Sequence, residues 1–158
     1  MRVIDASSIV LAWDIYPIDQ FSKFWLWVES NLKAETLLMG QPNFDEVGHV
    51  SPDCHSWLAS NLTVLPVDNE VMAAAVQINL ALGVSGGNYH SSGVDENDVF
   101  CIAMGKAHNC GVISDEALQA SLPVDPLKYK IPAVCAMPQV SVDCVSLNQY
   151  IRQSGASF

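Results

Sequence analysis

Four carboxylates fall at positions where a chain can do chemistry with them. Asp5 ends the short β-forming run Arg2-Val3-Ile4 and precedes small hydroxyl residues and the apolar pattern Ile9 to Trp13. Gly111-Val112-Ile113-Ser114-Asp115 repeats that design later in the chain. Glu46 lies about one turn into a segment that Pro42 suits as the first turn of a helix, and Asp98 heads Asp-Val-Phe-Cys-Ile-Ala at the start of another. Acids in a first helical turn have an ordinary role, interaction with the helix dipole, and that covers Asp95 and Glu96. If Asp5, Glu46, Asp98 and Asp115 meet, their mutual repulsion must be relieved by protons or cations. The cation such a set prefers is hard and divalent: Mg²⁺ takes oxygen ligands, keeps several waters and needs no His or Cys. It can acidify a water and stabilise charge on a phosphate under attack, so the chemistry indicated is metal-dependent phosphodiester hydrolysis. Ser7 and Ser114 are placed to hydrogen-bond a carboxylate or a phosphate oxygen, or simply to cap their helices.

Acids meet in this way when strands deliver them to one sheet edge. In open α/β sheets ligands collect beyond the carboxyl ends of the strands, where Asp5 and Asp115 are expected. Around them, strands alternate with helices, which implies an α/β fold with a mainly parallel sheet covered on both faces. A helix from Ile9 ends before Pro17; a second, capped by Asp19, buries the stripe Phe21, Phe24, Trp25, Val28 and Leu32 as core. Thr36 to Met39 form a strand with a turn at Gly40-Gln41-Pro42, and helices follow through Glu46 and from Ser51-Pro52. Leu62 to Val67 read as a β-rich run, and Asp68 caps a helix that stops at Gly83. Residues 83–93, rich in Gly and Ser, form a loop beside the site from which Tyr89 or His90 can reach a substrate. A helix start is expected after Asp115. Two β-like runs, around Ala133-Val134-Cys135 and Val140 to Val145, precede a last helix from Ser146 to Gln153.

Length and composition set the bounds. A chain of 158 residues, half of them hydrophobic, fits one domain with a sizeable core. The formal charge of −10 argues against broad electrostatic capture of nucleic acid, so any such role needs a metal ion, a partner or a local basic strip. Lys128-Tyr129-Lys130 is the one compact basic and aromatic patch; it could contact phosphates and stack a base, or be a solvated turn. The five cysteines are scattered without a CxxC pair, which favours a reduced, cytoplasmic chain; Cys54-His55 lacks the complement a zinc site needs. No apolar run reaches the length of a membrane span, and no leader precedes the first strand.

At these residues the sequence resembles the PIN-domain nucleases, and within them the VapC-type toxins of bacterial toxin–antitoxin pairs. Ile4-Asp5-Ala6-Ser7 is similar to the family's first motif, a strand ending in Asp before a small hydroxyl residue. Glu46-Val47 resembles the second, Asp98 with its Ile-Ala helix the third, and Val112-Ile113-Ser114-Asp115 the fourth. They stand in family order over roughly residues 1–120. The resemblance implies a three-layer α/β/α fold, Mg²⁺ or Mn²⁺, endonucleolytic cleavage of RNA, frequent homodimers and inhibition by an antitoxin. Carried over, Asp5, Glu46, Asp98 and Asp115 are metal ligands and water activators, and Asp95 competes for the third place. The acidity and the extension 121–158, expected to pack on the same domain, depart from the pattern.

Other readings use the same residues. A PIN-like scaffold could bind a protein or nucleic acid with the acids kept as a weak cation site. A phosphatase using Asp5 as nucleophile commonly wants a second acid two residues on, where this chain has Ser7. A receiver-like phosphoacceptor needs an earlier acidic pair, and Asp5 stands alone on the first strand.

Overall fold

The computed structural model describes residues 1–158. Its sheet is built from four short strands, β1 (Arg2–Ile4), β2 (Leu37–Leu38), β3 (Gly111–Ile113) and β4 (Cys144–Val145), all parallel and in the order β2-β1-β3-β4. Parallel strands need crossovers, and the helices supply them: α1 (Ala6–Ile15), α2 (Ser22–Lys33), α3 (Gln41–Val50), α4 (Pro52–Ala59), α5 (Asn69–Leu82), α6 (Glu96–Ala107), α7 (Ile131–Cys135) and α8 (Leu147–Ser154).

Strand residues alternate between two cores. Val3, Leu38 and Val112 point into one, filled by Val71 and Ile78 of α5, Ile102 and Met104 of α6, and Ile131 and Val134 of α7. Ile4, Leu37, Ile113 and Val145 point into the other, with Ile9 of α1, Trp25 and Val28 of α2, Val47 of α3, Leu58 of α4 and Leu147 of α8. The period-2 geometry of β-strands thus makes the central strands apolar on both faces and gives the three-layer α/β/α arrangement. Phe24, Trp25, Val28 and Leu32 of the stripe are core, whereas Phe21 precedes α2 and stays exposed; Trp25 packs edge-on against Trp13, Phe24 and Trp57, and its indole N–H donates to the Tyr16 carbonyl at 2.6 Å.

The ends of α5 follow local chemistry. The Asp68 carboxylate accepts from the N–H groups of Glu70 and Val71, each at 2.9 Å, and Gly83 closes the helix with φ +78°. Four local expectations are corrected. Asp19 does not cap α2, which starts at Ser22 after Phe21 with no side-chain cap, because residues 17–21 form their own turn. Residues 62–67 contribute only one bridge, Leu65 to Gly40, so their β-branched composition does not extend the sheet. Ala133 to Cys135 is helical: Pro132 sits in the first turn of α7, and the apolar residues pack onto the sheet as one helical face. No helix follows Asp115; residues 114–125 form a loop that leads to a 3₁₀ turn at Pro126–Lys128.

The segment beyond Leu122 supplies α7 to one core, β4 to the sheet edge and α8 to the other core. All five cysteines are free thiols. No helix is long and apolar enough to cross a membrane.

Candidate active site

Asp5 leaves β1 as its chain turns into α1, and its N–H donates to the Ile113 carbonyl at 3.0 Å, fixing it beside the end of β3. Only 2% of its surface is exposed, and Ser7 donates its hydroxyl to Asp5 Oδ2. Burial pushes the Asp5 carboxyl up to about 6; the Ser7 hydrogen bond opposes this, and the negative charges of Glu46 and Glu116 add to it.

Asp98 enters from the start of α6. Asp95 and Asp98 form a reciprocal capping box, which gives Asp98 a structural role, yet burial is the first cause raising its carboxyl to about 8. The Asp95 N–H lowers it, while Asp95, Asp5 and Glu116 raise it further. Glu46 comes from α3, which packs on both α1 and α6. Its carboxyl is raised by burial and by Asp95, against a hydrogen bond from Asn97 Nδ2 to Oε2 at 3.2 Å. Glu46 also lies at the edge of a groove of about 270 Å³ between α1 and α3, lined by Ser7, Val10, Leu11, Asp14 and Val50 among others.

Asp115 is placed differently. Its Oδ1 accepts from the N–H of Leu147 at 3.1 Å, so it holds the first turn of α8, and its N–H donates to the buried Ser8 hydroxyl at 2.8 Å. Burial raises its carboxyl, against the hydrogen bonds from Leu147 and Ser8. Glu116, one residue on, acts on both Asp5 and Asp98. Asp5 thus feels Glu46 and Glu116, and Asp98 feels Asp5, Asp95 and Glu116, while Asp115 is engaged by the first turn of α8.

The hydroxyl and basic candidates divide too. Ser7 serves Asp5 directly, whereas buried Ser114 accepts from the Glu116 N–H at 3.3 Å and shapes the loop. Lys130, partly exposed, pairs with Glu116 at 2.9 Å; Lys128 is exposed; Tyr129 packs against the α5–α7 core and its carbonyl accepts from Val94. Tyr89 is likewise packed against that core and donates its hydroxyl to Asn79 at 3.2 Å; His90 accepts from the N–H of Ser92 at 3.0 Å within its loop.

The donor set is what a hard divalent ion takes: carboxylates and a hydroxyl, with no thiolate or imidazole. The raised Asp5 and Asp98 carboxyls show a site that favours neutralisation by a cation or protons. As the side chains stand, no group of three acids, histidines or cysteines is arranged to hold an ion. Two of the acids are held by protein donors instead: Glu46 by Asn97, and Glu116 by Lys130 and the Ile131 N–H. The chemistry of the donors fits such an ion, and seating it requires side-chain movement.

Sequence reasoning missed Glu116, Asn97 and Ser8. Glu116 had a signal, being one of two adjacent acids after a strand; the expected helix start drew attention to Asp115.

An acid-lined end of a parallel sheet, flanked by helices on both faces, is the PIN-like arrangement, and the comparisons agree. The structure superimposes on that of VapBC2 from Rickettsia felis bound to a DNA fragment from its promoter with a TM-score of 0.58, at 10% identity, covering 92% of this chain and 97% of the other. FitAB bound to an IR36 DNA fragment gives a TM-score of 0.50 at 15% identity, covering 92% and 94%. Both matches are to the toxin chains of toxin–antitoxin pairs, and at these identities the shared property is the fold. No curated protein matches the sequence. The chain belongs to the family described as Domain of unknown function (DUF4411), which matches residues 3–158 and is a PIN-like family.

Proposed function

We propose that this chain is a metal-dependent endoribonuclease that hydrolyses RNA phosphodiester bonds as the toxin of a toxin–antitoxin pair. The observation that supports it most is Asp5, a carboxylate almost fully buried at a strand end, lying in the field of Glu46 and Glu116 and itself acting on Asp98. Packing alone gives no reason to bury a carboxylate in the field of other acids. The VapBC and FitAB resemblance supports the toxin assignment and an antitoxin partner, and a homodimer belongs to the same reading.

In this reading Asp5, Asp98, Glu46 and Glu116 hold Mg²⁺ or Mn²⁺, with Asp95 and Asp115 outside the ligand set. When bound, the ion supplies Lewis acidity to water and to the phosphate under attack. Ser7 fixes the orientation of Asp5 through its hydrogen bond, and Asn97 does the same for Glu46. The groove between α1 and α3 offers the RNA strand an approach to Glu46. With a net charge of −10, RNA affinity must come from the ion and local cations, which makes cleavage metal-dependent at the binding stage too.

The test is Mn²⁺ calorimetry on the chain and on Asp5→Asn, followed by RNA cleavage with Mn²⁺ and with EDTA. Binding and cleavage lost together in Asp5→Asn support the proposal; cleavage that persists in EDTA sinks it. One observation favours a second reading, a catalytically weak scaffold that docks a protein or nucleic acid: no group of three acids is arranged to seat an ion. That reading expects carboxylate substitutions to change stability alone.

A further inference from the structure

Glu116 has both oxygens engaged. Oε1 accepts from Lys130 Nζ at 2.9 Å, and Oε2 accepts from the backbone N–H of Ile131 at 2.7 Å. The lysine is fixed in turn. Its N–H donates to Gln119 Oε1 at 2.9 Å, Gln119 Nε2 donates to the Lys128 carbonyl at 3.0 Å, and the next residue, Ile131, is fully buried. The lysine side chain is about one-third exposed, at 35%, and that of Glu116 is 21% exposed, so the pair is partly shielded from solvent. Lys130 is thus bound to Glu116, and the charges of Asp98 and Asp95 act on it as well.

We propose that Lys130 is the resident counter-ion of the acidic site: it holds Glu116 back, and seating a divalent ion and releasing the Lys130–Glu116 pair form one linked step. This rests on the metal-site reading above. Linkage makes the effect reciprocal, so whatever weakens the pair must tighten metal binding. The same latch accounts for the failure of the acids to converge, since Glu116 cannot leave Lys130 and Ile131 without something to replace them. Once released, the ammonium is a point charge beside the site, of the kind that takes a phosphate oxygen. Lys130 is thereby a positioning residue, setting where Glu116 points.

Calorimetry with Mn²⁺ on the full chain, Lys130→Gln, Lys130→Arg and Asp5→Asn tests it. Lys130→Gln should bind on the order of tenfold tighter, because a positive charge leaves the site, while Lys130→Arg stays near the parent and Asp5→Asn loses binding. Equal or weaker binding by Lys130→Gln, with Asp5→Asn still silent, overturns the counter-ion proposal and leaves the metal site standing. No binding by any of the four, Lys130→Gln included, overturns both. The unmodified chain gives a check independent of folding in the variants: Mg²⁺ must shift the Ile131 amide proton resonance, because its acceptor departs. An Ile131 amide that stays in place at saturating Mg²⁺ overturns the linked step.

Discussion

Asp95 and Asp98 hold each other across the first turn of α6: the Asp95 N–H donates to Asp98 Oδ2 at 2.9 Å, and the Asp98 N–H donates to Asp95 Oδ1 at 3.0 Å. An aspartate at the third helical position must draw close to the cap to do this, and so sits in the field of Asp5 and Glu116. Its folded carboxyl, at about 8, lies above the ordinary 3.8. A raised acid stabilises the fold fully below its unfolded value and loses that contribution as pH rises to the folded value. The metal-free protein should therefore weaken between about pH 4 and pH 8. Asp98→Asn keeps an acceptor for the Asp95 N–H and has no proton to lose. At pH 8 it should exceed the parent by on the order of 2 kcal/mol, a figure already reduced for solvent screening. Denaturation in EDTA at several pH values measures this, and an unchanged slope in the variant removes Asp98 from the cluster. Cleavage should be lost in the same variant.

Ser7 donates to the carboxylate it follows by two residues. That hydrogen bond favours the charged form of Asp5 and opposes the burial that raises its carboxyl. Ser7→Ala should raise the Asp5 carboxyl above about 6 and lower Mn²⁺ affinity by about 10–100-fold, the usual cost of removing a ligand's hydrogen-bond partner. Ser7→Thr should recover most of it. Affinity equal in the Ala variant and the parent would reduce Ser7 to a local turn residue.

Much of this was legible in the chain. The short β-forming runs before Asp5 and Ser114 read as buried parallel strands and are so, and Asp68 and Gly83 bracket α5 by chemistry that is wholly local. What stayed hidden depends on tertiary packing. Ala133-Val134-Cys135 has β-forming composition, and only the sheet beneath α7 makes it helical. The choice between Asp115 and Glu116 turns on whether a helix or a loop follows β3, and that is decided by α8, whose first N–H takes Asp115 from a place far along the chain.

Gly40 marks where the helices beside the site press together. It caps α3, which carries Glu46, and a Cβ there would collide with the sulfur of fully buried Met104 in α6. Gly40→Ala should cost about 1–3 kcal/mol, the range for overpacking a filled core. Gly40→Ala combined with Met104→Ala should recover part of the loss, since the two share one space. Additive effects in that pair, measured by urea denaturation, would mean that the contact is not what restricts position 40.

The adjacent acids after β3 separate the two accounts of the fourth site residue. Asp115→Asn retains an oxygen for the Leu147 N–H, and with Asp115 outside the ligand set Mn²⁺ affinity should stay within about twofold of the parent. Asp115→Ala removes that acceptor and should cost about 1 kcal/mol of stability, the usual net value of one hydrogen bond, again without touching the metal. Glu116→Gln removes a charge that acts on Asp5 and Asp98 and should lower Mn²⁺ affinity by about tenfold or more. The reverse pattern, a silent Glu116→Gln with binding lost in Asp115→Asn, would mean that the loop rearranges to present Asp115 when the ion is seated, and that the Leu147 N–H must give up its acceptor in doing so.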